Sequence, residues 1–471
     1  MRKIFWFLVP LIGMGIATAR AQQADAPTGQ VESTTTSPTS PSAPSQTLPP
    51  LSGMQVLAPT FGGTSESYVV PALACQEFAT TNPTGLNRNA GLFSQSSCGG
   101  TLTLQKVNSH SQLNLDFNGG GFYYNRPFEA TIKQDIKQYG TIEGLTVSER
   151  VTGRRWNWML GDQGTYLPDG SLGGAFAGLS SFAGGMGGGS LASAPALNSG
   201  FSPNQSIYGG LGRRASDLAF TEFSYTAGPR TTLTATGMFG TQQFLTPGYI
   251  DDRYWIVMTG YNRTFGRGSE VALDYQEMHF NFGASQPIFL TRGASILYGR
   301  AISPKFSVEL SVAPMDRVIS IHQADSTTNL FLGTYDTLLY HGLRWDGALT
   351  FDRTMAGGAG YLAGSEMSMV SASLGRQVSR RVHGSLDASY ANNRGLAVSS
   401  SGALRPTYKY VQVGANLTHE LGRNISMYLN YYVQRQVSNT SLCEGAICST
   451  SYFRQVGGIG INWHTQPIKI H

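Results

Sequence analysis

The sequence predicts an all-β fold: a transmembrane antiparallel up-and-down β-barrel of about 16 strands, with 18 as the alternative, short periplasmic turns and long extracellular loops. Three observations carry this. The chain opens on an export leader. From Gln112 to Trp463 it repeats runs that alternate apolar residues with small or polar ones. The turns between those runs are alternately short and long.

Arg2 and Lys3 precede the apolar run Ile4 to Ile16, and Ala19-Arg20-Ala21 fits a small-residue cleavage pattern. The run is too short to span a bilayer, so residues 1–21 read as a signal peptide. Removing Arg2, Lys3 and Arg20 lowers the formal charge from +5 to +2. No clustered basic surface points to nucleic acid. Charged residues make up 13% of the chain, against roughly 25% in soluble domains. Beyond the leader no apolar run is long enough for a membrane helix.

Residues 22–60 are mostly Ser, Thr, Pro, Gln and Ala, a composition that cannot bury a core, and read as a disordered linker. Residues 61–110 carry Cys75 and Cys98 among many turn residues. They read as a small periplasmic or plug-like segment, with an extra strand over Thr101–Val107 left open. The barrel is placed at 111–464 and a C-terminal tail at 465–471. The spacing of Cys443 and Cys448 suits a disulfide that staples a loop, which leaves Cys75 with Cys98.

The alternation is explicit in several strands. Phe306, Val308, Leu310 and Val312 alternate with Ser307, Glu309 and Ser311. Val411, Val413, Ala415 and Leu417 alternate with Gln412, Gly414, Asn416 and Thr418. Ile425, Met427, Leu429, Tyr431 and Val433 alternate with Ser426, Tyr428, Asn430, Tyr432 and Gln434. A period of two puts each set on one face. The phase slips twice, between Tyr275 and Met278 and between Phe220 and Phe223. A β-bulge near Gln276, and another in the Leu218–Tyr225 strand, would account for both.

Short turns are expected at 151–154, 227–230, 266–269, 302–305, 344–347, 379–381 and 421–424, with longer connections between them. So large a barrel cannot fill its interior with the apolar face, so that face must point outward to lipid. Closure then satisfies every backbone polar group. Trp156, Trp158, Tyr254, Trp255 and Trp463 are candidates for interfacial girdles.

The last strand alternates Ile459, Ile461 and Trp463 with Gly458, Gly460 and Asn462. It resembles the terminal strand that outer-membrane proteins present to the barrel-assembly machinery, although His464–His471 follow the aromatic. The whole stretch resembles porin-like outer-membrane β-barrels of Gram-negative bacteria. More narrowly, the strings Ser111–Gly121, Gly153–Trp156 and Gly460–His464 are similar to barrels encoded beside exopolysaccharide machinery. The resemblance implies the outer membrane as location, and outer-membrane lipid and the assembly machinery as partners. It leaves a saccharide or polymer as the candidate cargo.

No nucleophile elbow, zinc-protease helix, phosphate loop or Cys-x-x-Cys motif occurs, so neither an enzyme nor a cofactor is expected. Asp116, Asp274, Glu309 and Asp387 fall on polar strand positions and are lumen-lining candidates, whose role is either to bias cation passage or to pair with lumen arginines and face water. Tyr428, Asn430, Tyr432 and Gln434 are the kind of surface on which sugars stack and bond, or else packing within the lumen. The near-uncharged connection from Leu167 to Gly212 is a candidate constriction. A porin-like channel is the leading expectation, and a non-transporting adhesin or structural barrel the alternative.

Overall fold

The structure, a computed structural model, describes residues 51–52, 66–81, 92–125, 138–167, 213–246, 249–266, 268–283, 286–321, 325–356, 362–396, 406–439 and 451–470. The expected signal peptide, most of the 22–60 linker, the Gly-rich connection after Leu167 and the Cys443–Cys448 pair lie outside them. No described helix is long and apolar enough to cross a membrane.

One antiparallel sheet contains β1 (Tyr68–Thr81), β2 (Leu92–Val107), β3 (Ser111–Tyr124), β4 (Tyr139–Thr152), β5 (Trp156–Leu167) and β6 (Arg214–Gly228). It continues through β7 (Thr231–Phe244), β8 (Asp252–Phe265), β9 (Ser269–Asn281), β10 (Ile288–Ser303), β11 (Phe306–Ile321) and β12 (Asp325–His341). Then come β13 (Trp345–Ala356), β14 (Ser365–Ser379), β15 (Val382–Gly395), β16 (Thr407–Glu420), β17 (Ile425–Ser438) and β18 (Ser451–His464). Each of these pairs with its sequence neighbours, and β1 pairs with β18 from Ala72↔His464 to Thr80↔Val456, which closes the barrel. A short β19 (Ile468–Lys469) pairs with Tyr68 and Val69. The expected tail thus includes a clamp on the first strand.

The barrel has 18 long strands rather than 16. All sixteen expected strands are present, and β1 and β2 come from the 61–110 stretch. Their outward faces are weakly apolar. β1 presents Pro71, Leu73, Cys75 and Glu77, and β2 presents Ser96, Cys98 and Gly100 between the outward Leu92 and Leu102, so the period-two signal is diluted mid-strand. Glu77 and Ser96 are cross-strand partners, and the Ser96 hydroxyl donates to the Glu77 carboxylate at 2.5 Å. Cys75 lies directly opposite Cys98 with Cα atoms 4.1 Å apart, and the two are disulfide-bonded as expected.

The turns β4–β5, β6–β7, β8–β9, β10–β11, β12–β13, β14–β15 and β16–β17 all fall where short ones are expected, and β2–β3 adds another. All lie on one rim. Gly266 and Gly268 adopt positive φ (64° and 87°) to make the β8–β9 turn. The opposite rim carries the longer connections, except that β11 and β12 run on and are separated only by residues 322–324.

The bulges expected in β9 and β6 are absent. β9 keeps unbroken register with β8 and β10, as β6 does with β5. Among the described residues, ladder shifts occur only beside short turns, at Thr226/Gly228, Ala301/Ser303 and Gln377/Ser379. The apolar residues change face instead. Leu273 and Tyr275 point outward, while Met278, Phe280 and Phe282 point inward and are buried. In β6, Phe220 is inward and Phe223 and Tyr225 outward.

The outer surface is a continuous apolar band: Val257, Leu273, Ile296, Leu310, Val312, Leu349, Val370, Leu386, Val413, Leu429, Ile459 and Ile461 are all exposed. A patch of that extent is far beyond what a soluble monomer carries, and it suits hydrocarbon. Near the short-turn rim Trp156, Tyr225, Phe265, Phe306, Trp345 and Trp463 are exposed, with the Arg376 guanidinium 4.5 Å above Trp345. Such a girdle marks a membrane–water boundary. Trp158 and Trp255 also face outward, Trp255 stacked on His279 at 5.5 Å. Tyr254 does not belong to the girdle, because its position on β8 points inward, where its ring meets Phe280 at 5.7 Å.

Candidate functional site in the lumen

Alternation in a closed barrel forces every second side chain into the lumen. The eight lumen candidates read from the sequence all occupy inward positions: Asp116 on β3, Asp274 on β9, Glu309 on β11, Asp387 on β15, and Tyr428, Asn430, Tyr432 and Gln434 on β17. They do not form one cluster. The four carboxylates are spread around the circumference, each in the half of its strand nearer the short-turn rim. Asp116 accepts a hydrogen bond from the Thr103 hydroxyl at 2.7 Å.

Inward acidic positions that sequence reasoning missed include Glu222, Glu270 and Asp352, and also Asp252, which stands at the long-loop end of β8 beside Arg214. Inward arginines missed are Arg214, Arg317 and Arg454, which stand towards the long-loop rim. Arg317 lies 3.8 Å from the Glu366 carboxylate, which also receives Arg353 at 2.6 Å. Arg150, near the short-turn rim, neighbours Glu222. The lumen therefore carries carboxylates mainly towards one mouth and guanidinium groups towards the other. A charge in an alternating strand shows only its parity, so its depth was not legible.

Two further surfaces line the lumen, the first in its long-loop half and the second running from Tyr428 and Gln76, nearer the short turns, to Arg454 in the long-loop half. The first is apolar: Met278, Phe280, Phe282, Phe289, Met315 and Ile319 pack with Phe331 and Met355. The phase slip in β9 is its sequence trace. The second, on β1–β3 and β16–β18, is built of tyrosine and amide side chains. Tyr428 donates to the Gln76 side chain, Tyr410 to Gln412 at 2.5 Å, and Gln434 to Gln412 at 3.2 Å. Arg454 Nε donates to the Thr80 hydroxyl at 3.1 Å. Tyr428 and Gln434 are buried within this layer, so they pack the wall rather than offering a free face.

Several inward rings lie flat on glycines of the neighbouring strand. Tyr428 covers Gly460, Phe78 covers Gly458, Phe220 covers Gly161 and Tyr254 covers Gly240. A Cβ at any of these glycines would meet the ring. The glycines thus keep bulky side chains against the wall and out of the bore.

Inward Ser148, Thr236, Thr291, Ser365, Asn393 and Asn462 keep a polar atom with no hydrogen-bond partner among the described residues. Leaving such atoms unsatisfied costs about 1–3 kcal/mol each. Among the described residues no group of three or more His, Cys, Asp or Glu could hold a metal ion.

No protein-family model matches the chain, and no curated protein matches it. Solved structures with a similar fold include OccAB3 of Acinetobacter baumannii, at 8% identity and a TM-score of 0.42 over 85% of this chain and 100% of that one. The outer-membrane protein opdK of Pseudomonas aeruginosa is 9% identical, with a TM-score of 0.41 over 84% of this chain and 98% of that one. A BenF-like porin of Pseudomonas fluorescens Pf-5 is 9% identical, with a TM-score of 0.42 over 86% of this chain and 99% of that one.

Proposed function

We propose that this chain is a porin-like channel of a Gram-negative outer membrane that passes small polar solutes. One observation carries the reading: the barrel is apolar outside and polar and charged inside, with 18 long strands. An 8-stranded barrel is filled by its own side chains, whereas 16 to 18 strands leave an aqueous passage. The flattened rings over Gly161, Gly240, Gly458 and Gly460 support an open bore. In this reading Asp116, Asp274, Glu309 and Asp387 line the passage and favour cations in its short-turn half.

Neutral saccharides are the finer cargo we favour, because Asn430 and Tyr432 on the inward face of β17 are only half-buried and offer an amide and a ring to a passing solute. Export of an acidic exopolysaccharide is less well supported, because the carboxylates would repel a polyanion. Reconstitution into planar bilayers and liposome swelling with sugars of graded size test the proposal. Steady unitary currents and a size cut-off are expected. A folded, heat-modifiable barrel that neither conducts nor swells would sink it in favour of the non-transporting reading.

A further inference from the structure

Two residues ahead of the first strand sit inside the barrel. Leu51 and Ser52 fall in the stretch expected to be a free linker, yet both are buried, Ser52 to 2% exposure. They lie on the inner wall formed by β7 to β10. The Ser52 backbone N–H donates to Asn262 Oδ1 at 2.9 Å. Its hydroxyl lies 2.6 Å from the Thr234 hydroxyl and accepts from Asn262 Nδ2. Glu270 takes a backbone hydrogen bond from Leu51.

The wall is shaped to receive them. A Cβ at Gly260 would fall on Ser52, and one at Gly299 would fall on the Leu51 side chain. Thr234, Asn262, Glu270 and Gly299 all stand near the short turns of their strands, so this seat is in the short-turn half of the lumen. In the closed order of 18 strands, β10 is nine places from β1 in either direction. The seat is therefore on the side of the barrel facing the strand that Ser52 precedes.

We propose that the inner wall of β7–β10 is a binding site for this chain's own Leu51–Ser52, and that the seated pair narrows the passage. Polar groups at this depth must be satisfied within the protein or by water. Ser52 satisfies Asn262 and Thr234 at once, and Leu51 covers the backbone at Gly299, where no side chain stands. The narrowing rests on the channel reading above, whereas the seat itself does not.

The test uses the full chain in lipid vesicles. Ser52→Cys with Thr234→Cys places two thiols where hydroxyls now touch. Oxidation should link them, as peptide mapping would read, with loss of the two engineered free thiols. Ser52→Cys with Asn430→Cys, on a distant wall, should not link. Gly260→Leu fills the seat, and Asn262→Leu removes its polar floor. Either change should abolish the 52–234 link and raise unitary conductance above that of the oxidised, linked protein. Absence of the link in the otherwise unaltered barrel overturns the seat. A link accompanied by equal conductance in the locked and seat-filled forms overturns the narrowing. If no form conducts, the channel reading fails and the narrowing with it, while the cross-link alone still decides the seat.

Discussion

Placing an arginine at adjacent positions of β17 separates a lipid-facing wall from a lumen-facing one. Leu429 is outward and 53% exposed, whereas Asn430 is inward. Ile425, at the start of β17, pairs with Trp463 of the aromatic girdle. Leu429 is four residues further on, which at about 3.4 Å per residue and a tilt near 45° is about 10 Å into the apolar band. With a band roughly 25 Å tall, that is near the midplane. Arginine there costs about 2–4 kcal/mol, and about 0–1 near an interface. Leu429→Arg should therefore lower the folding equilibrium by about 30- to 700-fold, Ile425→Arg by little, and Asn430→Arg by little because its guanidinium meets water. Urea unfolding in phospholipid vesicles, followed by tryptophan fluorescence and gel mobility, reads all three. Equal costs at 429 and 430 would refute the assignment of faces. A larger cost at 430 would mean a barrel packed from the inside.

Cys75→Ser should weaken the barrel by about 3 kcal/mol, because the disulfide closes a loop with a sequence separation of 23. The urea midpoint should fall, and an unchanged midpoint would show that the β1–β2 ladder alone holds the hairpin. Gly460→Val should drive the Tyr428 ring off the wall and cost about 1–3 kcal/mol as overpacking. Adding Tyr428→Ser should recover most of that, and failure to do so in a double-mutant cycle would show that the ring is not what the glycine accommodates. Asp274→Asn with Glu309→Gln should move the reversal potential in a salt gradient towards anions. No movement would place these carboxylates outside the ion path.

Most of the wall was legible because one face of each strand is apolar and the other is not. β17 is the clear case, its outward residues running Ile425, Met427, Leu429, Tyr431 and Val433. Legibility failed where the outward face was not apolar, as in β1 and β2. It also misled where an inward face became apolar, as in β9. There the same residues that suggested a bulge turned out to form a surface within the lumen. The side on which each lumen candidate stands follows from its parity in the strand. Their depth, their partners and the arginines towards the other mouth depend on contacts between strands far apart in sequence. Tyr428 and Gln76, separated by 352 residues, are one such pair. The seat for Ser52 had no sequence trace, because glycines at 260 and 299 resemble any others in so glycine-rich a chain.

The seam between β1 and β18 has a kinetic meaning. Ala72 and His464 are partners 392 residues apart (464 − 72), whereas Cys75 and Cys98 are separated by 23. The loop-closure entropy rises with the logarithm of length, so the seam costs about 2.5 kcal/mol more to bring together than the hairpin does. Apart from the two-residue β19 clamp it is the ladder of highest contact order in the barrel, and it is expected to form late. The disulfide turns β1 and β2 into a stiff two-stranded edge before that meeting, and β19 then catches Tyr68 and Val69. A chain kept reduced would reach the same topology but search for its last ladder with a floppier edge, so oxidation should govern how fast this barrel shuts as well as how firmly it stays shut.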